Sequence, residues 1–78
     1  MKFKDLKFKP HPNMVGVQAV VEDKISVVKT PFSYGSENGL YECGCQVNGE
    51  WVIEGWCSPE DVEAFIKKYL DKADTIFN

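Results

Sequence analysis

Arginine is missing from the chain, histidine occurs once, and no apolar run is long enough to cross a bilayer. Arginine reads phosphate and guanine through paired hydrogen bonds, so its absence argues against a nucleic-acid-binding protein. A membrane span needs roughly 18 consecutive apolar residues, and the basic stretch "MKFKDLKFKPHP" lacks the apolar centre of a signal peptide. We therefore expect one domain that acts in the cytoplasm and contacts neither membrane nor nucleic acid.

Basic residues of any kind are missing from a long segment in the second half of the chain. No lysine lies between Phe32 and Glu63, whereas lysines outnumber acids in residues 1–31. The acids of that segment are Glu37, Glu42, Glu50, Glu54, Glu60, Asp61 and Glu63. A surface with charge of one sign steers a partner with the opposite charge. The sequence therefore predicts a partner with a basic surface.

Cysteine occurs three times, and an odd number without an export signal favours reduced thiols. Cys43, Cys45 and Cys57 could join His11 as a zinc set, but zinc sites usually have two to four residues between paired cysteines, and only one residue separates Cys43 from Cys45. A C-x-C pair on a strand directs both side chains to one face, where cysteine packs as a small apolar residue. We expect three core thiols, no disulfide and no cofactor, with a small zinc-binding protein as an open alternative.

Residues suited to catalysis are scarce. A nucleophilic cysteine or serine needs a nearby base, and the sole histidine, His11, stands between Pro10 and Pro12 in a predicted loop. No glycine-rich loop precedes the predicted helix, so the chain has no phosphate-binding motif of that kind. We expect that the protein is not an enzyme.

The first part of the chain predicts an edge strand and a hairpin. Residues 6–9 alternate apolar and basic side chains, and they are either an edge strand or part of a basic arm. The apolar set of residues 14–21 has the two-residue period of a half-buried strand. Its members are Val15, Val17, Ala19 and Val21. A three-residue turn pairs Val21 with Ile25, which keeps the apolar residues of 14–21 and 25–30 on one face.

A second predicted hairpin surrounds Asn48-Gly49, the strongest turn signal in the chain. A two-residue loop would set glutamates opposite the apolar residues of the first strand. A three-residue loop, with Gly49 in a bulge, keeps the apolar residues of both strands on one face. This register pairs Cys45 with Trp51 and Cys43 with Ile53. The hydrophobic pattern therefore predicts the bulged register.

Residues 58–73 predict an amphipathic helix. Ser58 is a suitable N-cap, Pro59 suits the first helical position, and Asp61 lies three residues after the cap. The apolar stripe consists of Val62, Phe65, Ile66, Tyr69, Leu70 and Ala73. The predicted fold is α+β: an antiparallel sheet of two hairpins, with three to five strands, covered on one face by this C-terminal amphipathic helix.

One domain covers residues 1–78 in this prediction. It divides into a basic N-terminal arm or edge strand at 1–13, two hairpins at 14–57, the helix at 58–73 and a tail at 74–78.

The acidic face of the second hairpin, with the loop that precedes it, is the candidate functional surface. An aromatic anchor surrounded by charge is typical of protein-binding surfaces. The candidate partner-binding residues are Trp56, Glu54, Glu42, Val52, Phe32 and Tyr34. In the alternative interpretation, Trp56 covers the junction of helix and sheet, the loop rings pack on the core, and the acids only keep the domain soluble.

Short blocks along most of the chain resemble small uncharacterised proteins encoded by phages and prophages of bacteria. The blocks are "MKFKDLKF", "GVQAVV", "ISVV", "SYG", "GLYE" and "SPEDVEAFIKKY". The short hairpin connectors and the three cysteines depart from that pattern, and the resemblance transfers no catalytic or binding residue. It implies an accessory role in the cytoplasm of an infected or lysogenic bacterium. By analogy with that class, it implies an inhibitor of a host enzyme or defence system.

We therefore expect a non-enzymatic protein that binds a host protein through its acidic and aromatic surface. A structural or self-assembling phage component that uses a sheet edge is the open alternative. The sequence leaves the oligomeric state open.

Overall fold

A five-stranded antiparallel sheet and one helix form the fold of the computed structural model, which describes residues 1–31, 33 and 36–77 (of Glu37, the backbone alone). The strands are β1 (Lys9–Pro10), β2 (Val17–Val21), β3 (Ile25–Lys29), β4 (Tyr41–Val47) and β5 (Glu50–Cys57). The helix α1 spans Pro59–Tyr69, and short 3-10 helices span Phe3–Asp5 and Ser36–Asn38. The strands follow one another in the sheet in chain order. The predicted α+β class is confirmed.

The hairpin of β2 and β3 has the predicted register. Val21 lies opposite Ile25, and Ala19 lies opposite Val27. The first strand begins at Val17 rather than at residue 14, because residues 11–16 form the connection from β1. The His11 N–H donates to the Gly16 carbonyl at 2.9 Å and closes this connection.

The N-terminal arm enters the sheet later than predicted. Only Lys9 and Pro10 pair with β2, so the edge strand lies at residues 9–10 and the prediction of a strand at 6–9 is wrong in its bounds. The residues before Lys9 lie against the helix and the core instead. The Phe3 N–H donates to a Glu63 carboxylate oxygen at 2.6 Å. The rings of Phe3 and Phe8 pack on Tyr41, with centroids 5.2 and 5.4 Å from that ring.

The helix has the predicted N-terminal cap but ends before the predicted last residue. The Ser58 hydroxyl accepts from the Asp61 N–H at 3.2 Å, and the Asp61 carboxylate accepts from the Ser58 N–H at 3.1 Å. Helical structure ends at Tyr69, not at residue 73, and the chain then turns so that the Asp74 N–H donates to the Gln46 carbonyl at 2.7 Å. No helix in the described ranges is long and apolar enough to span a membrane.

One core joins the helix to the sheet. Its buried residues are Ala19, Val21, Ile25, Val27, Cys43, Cys45, Cys57, Val62, Phe65, Ile66 and Ala73. All three cysteines are among them, as predicted, and all are free thiols. The face of the sheet that carries these residues is called the helix-side face below, and the opposite one the outer face.

The predicted register of the second hairpin is wrong. Asn48 and Gly49 both have positive φ, 54° and 82°, and form a two-residue type I′ turn that pairs Val47 with Glu50. Cys45 therefore lies opposite Val52, and Cys43 opposite Glu54. The extra residue is present, but at the other end of the hairpin. Tyr41 pairs with Cys57, so the two strands differ by one residue between these pairs, which is the sign of a β-bulge.

Candidate protein-binding surface

The β4–β5 hairpin carries most of the sequence-predicted site, and its turn is anchored by the chain that follows the helix. The Asp74 carboxylate accepts hydrogen bonds from the Gly49 N–H at 2.8 Å and from the Asn48 N–H at 3.3 Å. The N–H groups of the two central turn residues have no partner in the strand ladder, and the Asp74 carboxylate accepts hydrogen bonds from both. The anchor fixes the two-residue turn, and with it the faces on which the β5 side chains lie.

Large apolar side chains of β5 are exposed on the outer face. Trp51 and Ile53 lie opposite Gln46 and Gly44, and they are 56% and 57% exposed. The sequence prediction placed both in the core, and the structure corrects it. The cause is the two-residue turn, which shifts the pairing by one residue and exchanges the two faces of β5.

A row of small residues runs across the outer face beside Ile53. Cross-strand pairing aligns Val20 with Ser26, Ser26 with Gly44, and Gly44 with Ile53. The centre of the row has only a hydroxymethyl group and a hydrogen as side chains, so a depression forms there. Among the residues that line this depression are Trp51, Ile53, His11 and Phe77. A Cβ placed at Gly44 would have Ile53 Cγ1 and the Val52 carbonyl oxygen as its nearest neighbours, at 3.8 and 3.9 Å, so the space above the Gly44 backbone is open.

Glu42, Val52 and Glu54 do not share the face predicted for them. Glu42 lies opposite Val28 and lines the depression of the outer face, as predicted. Glu54 lies opposite the buried Cys43, which places it on the helix-side face, where it is exposed at the rim of the sheet. Val52 packs against the core, so its assignment to the outer face is wrong. The predicted surface is thus divided between the two faces.

Trp56 is exposed, as predicted, but its backbone is unusual. Its φ is 59°, a left-handed value that side chains other than glycine rarely adopt, and 53% of the residue is accessible to solvent. It lies in the bulge, where the strand pairing shifts between Glu54 and Cys57. Bulges re-aim side chains and end regular pairing. The bulge accounts for an exposed indole one position before the buried Cys57.

Two members of the predicted site, Phe32 and Tyr34, lie outside the described residues. The assignment of these two rings therefore stays a prediction.

The outer edge of β5 is free within the described part of the chain. β5 is the last strand of the sheet and pairs with β4 alone. A type I′ turn closes through a hydrogen bond from its last residue to its first, which makes Val47–Glu50 a hydrogen-bonded pair. Hydrogen-bonded and non-hydrogen-bonded pairs alternate along an antiparallel ladder. The backbone N–H and C=O groups of Trp51 and Ile53 therefore point away from β4.

Burial raises the pKa of all three cysteine thiols. Burial raises the pKa of the Cys43 thiol, and its contact with the Cys57 thiol adds to the increase. The predicted register leaves Cys57 away from Cys43 and Cys45. The bulge changes this, because it brings Cys57 opposite Tyr41 and next to Cys43 on the same face. A raised thiol pKa disfavours the thiolate that nucleophilic or metal-binding cysteine requires.

The four residues of the zinc alternative do not come together. His11 lines the depression of the outer face, whereas the three cysteines lie in the core on the helix-side face. Across the described residues, no three histidine, cysteine, aspartate or glutamate side chains are grouped as metal ligands.

Comparison with known proteins assigns no family to this arrangement. No protein-family model, curated protein or solved structure matches the chain.

Proposed function

We propose that this protein is a non-enzymatic binding protein of phage or prophage origin, which binds a basic host protein in the bacterial cytoplasm through its β4–β5 hairpin. An inhibitor of a host enzyme or defence system is the role that we favour. The proposed contact residues are Trp51, Ile53, Trp56, Glu42, Glu50 and Glu54. Compared with the residues predicted from the sequence, this set leaves out Val52, which packs inward, and Phe32 and Tyr34, which lie outside the described residues. It adds Glu50 and the two apolar residues of the outer face.

The observation that supports this proposal is the exposure of three large apolar side chains on one strand. Trp51, Ile53 and Trp56 are each more than half exposed. Scattered single apolar residues on a surface are ordinary, but tryptophan is enriched at the centres of protein interfaces and is costly to leave in water. Val52 and Cys57 are the side chains of β5 that pack in or against the core, whereas the two indoles lie outside it.

The charge of the hairpin supports a basic partner. Glu50 and Glu54 are exposed on β5, and the segment from Phe32 to Glu63 has no lysine. Charged groups at the rim of an apolar patch increase the rate of association and exclude partners of the same charge. Such a complex is expected to weaken as ionic strength rises, because salt screens exposed charges.

Affinity capture from bacterial lysate, followed by reconstitution with the purified captured protein, tests the proposal. The site variant is Ile53→Thr, and the control is Val15→Thr, which also replaces a β-branched aliphatic side chain with threonine, at a residue that is 79% exposed but outside the sheet. We expect a defined complex with the wild type and with Val15→Thr, measured by calorimetry, and an affinity at least about tenfold lower with Ile53→Thr.

Trp51→Thr is a second site variant and should act in the same direction. The proposal is wrong if both site variants bind every captured protein as tightly as Val15→Thr does. It is also wrong if no protein forms a stoichiometric complex with the wild type.

A further inference from the structure

We infer that the partner contributes an extended segment which pairs with the free edge of β5, and that two basic residues of this segment lie four positions apart with three apolar residues between them. The inference rests on the proposed function and names the chemistry of the partner. Its two supports are the unpaired backbone of β5 and the separation of two glutamates along that strand.

The backbone of β5 presents unused hydrogen-bonding groups. Trp51 and Ile53 direct their N–H and C=O groups away from β4, and β5 is the last strand of the sheet. Exposed edges are usually blunted by proline, by lysine or by a very short strand. β1, at the opposite edge, is blunted in this way, because it has two residues, one of which is Pro10. β5 has eight residues and contains neither proline nor lysine. Its glutamates repel segments of the same charge but not basic ones, and its bulge lies beyond the regular stretch from Glu50 to Glu54.

The bulge sets the length of edge that a segment can use. Regular pairing with β4 runs from Glu50 to Glu54, and the register shifts beyond that point. Five residues of antiparallel strand extend about 17 Å. The inferred segment is therefore short, and Trp56 lies where it would leave the sheet.

Side-chain alternation along β5 sets the sequence of that segment. Glu50, Val52 and Glu54 share the helix-side face, and Trp51 and Ile53 share the outer face. Residues directly opposite in an added strand lie on the same face as their partners. Basic residues opposite Glu50 and Glu54 would thus be separated by three apolar residues, which face Trp51, Val52 and Ile53. Peptide addition to a sheet edge takes its affinity from the backbone and its specificity from such alternating side chains.

A second copy of this chain fits the edge poorly. The two-fold register that pairs all five regular residues of β5 is centred on Val52. It would set Glu50 opposite Glu54 of the second copy, and like charges in directly opposite positions are destabilising. No strand in the described part of the chain has two basic residues four positions apart. Charge complementarity therefore favours a different, basic protein as the source of the segment.

The test uses the full chain and a library of random 12-residue peptides displayed on yeast. We expect the selected peptides to be enriched in two lysines or arginines four positions apart with apolar residues between them. Added to the isotope-labelled protein, a selected peptide should slow hydrogen exchange at the Trp51 and Ile53 amides. If the selected peptides lack this pattern, or if no peptide is enriched, the inference is wrong. The proposed function is tested separately, by lysate capture.

One pair of variants separates edge pairing from contact with the outer face alone. Ile53→Pro removes an outward N–H without removing a bond to β4, whereas Ile53→Thr shortens the side chain and keeps the N–H. We expect the proline variant to bind the selected peptide about tenfold more weakly than the threonine variant. Equal affinities of the two variants would show a face contact and overturn the inference.

Charge reversal tests the same inference in a chain that keeps its backbone intact. The double variant Glu50→Lys/Glu54→Lys should have a lower affinity for the selected basic peptide. It should have a higher affinity for a peptide in which glutamate replaces both basic residues. Asp71→Lys, a charge reversal at an exposed acid just after the helix, is the control and should leave both affinities unchanged. If the double variant keeps the wild-type preference, the assignment of the basic residues to Glu50 and Glu54 is wrong.

Discussion

Glycine and alanine substitutions at the two exposed tryptophans of β5 test the backbone of the candidate surface. Trp51 and Trp56 are 56% and 53% exposed, so each substitution removes a ring of similar burial. The two positions differ in conformation, since Trp51 lies in the regular ladder and Trp56 has a φ of 59°. Both substitutions at a position remove the same ring, so the difference in unfolding free energy between the glycine and the alanine variant reports the backbone conformation at that position.

The expected magnitudes have opposite signs. In the regular strand, glycine is less stable than alanine by about 0.5–1 kcal/mol, because it loses more conformational entropy on folding. In the left-handed region, alanine carries a steric cost of about 1–2 kcal/mol that glycine does not. We therefore expect Trp51→Ala to be more stable than Trp51→Gly, and Trp56→Gly to be more stable than Trp56→Ala by about 1 kcal/mol.

Urea unfolding followed by fluorescence measures these differences, because each variant retains the other indole as a probe. For a domain of this size, about 1 kcal/mol corresponds to a shift of roughly 4–8 °C in the melting temperature, so thermal unfolding provides a second measurement. If alanine is more stable than glycine at both positions, Trp56 does not have a left-handed backbone and the bulge is misplaced.

Two further predictions concern the turn and the core. Asp74→Ala removes the acceptor of the hydrogen bonds from the Gly49 and Asn48 amides. We expect it to lower the free energy of unfolding by about 1–2 kcal/mol and to speed hydrogen exchange at Gly49. The control, Asp71→Ala, should change the free energy of unfolding by less than about 0.5 kcal/mol. Burial raises the pKa of the Cys43 thiol in the folded protein, so this thiol ionises first in the unfolded chain as pH rises above about 9. The free energy of unfolding should therefore fall by up to about 1.4 kcal/mol per pH unit for that thiol. Urea midpoints at about pH 8 and pH 10 check this, and the fall should be smaller in Cys43→Ala; equal falls would contradict it.

The first hairpin could be predicted because two independent signals agree. The apolar alternation of residues 14–21 and the length of the turn both pair Val21 with Ile25, and the structure has that pair. The helix start was predictable for a similar reason, since Ser58, Pro59 and Asp61 each suit the same capped terminus. Agreement between local and non-local preferences is what defines a unique structure from sequence.

The second hairpin could not be resolved because its two signals conflict. Asn48-Gly49 favours a two-residue turn, whereas the hydrophobic pattern requires one extra residue, either in the turn or within β5. Sequence reasoning placed that residue in the turn, and the structure places it in the bulge at Trp56. The separation of Val52 from Cys57 is an odd number of residues, so only a bulge between them lets both face the core. That spacing was the signal that could have moved Trp51 and Ile53 to the surface.

The segment after the helix has a consequence for the order of folding. Asp74 holds the turn of β4 and β5, while the Ile76 and Phe77 N–H groups donate to the Asp23 carbonyl in the turn of β2 and β3, at 3.0 and 2.9 Å. Each hairpin can form locally within microseconds, but these contacts join residues 25 and 53 positions apart and need the helix in place. They should form after the rate-limiting step, so their loss would speed unfolding and leave the folding rate almost unchanged.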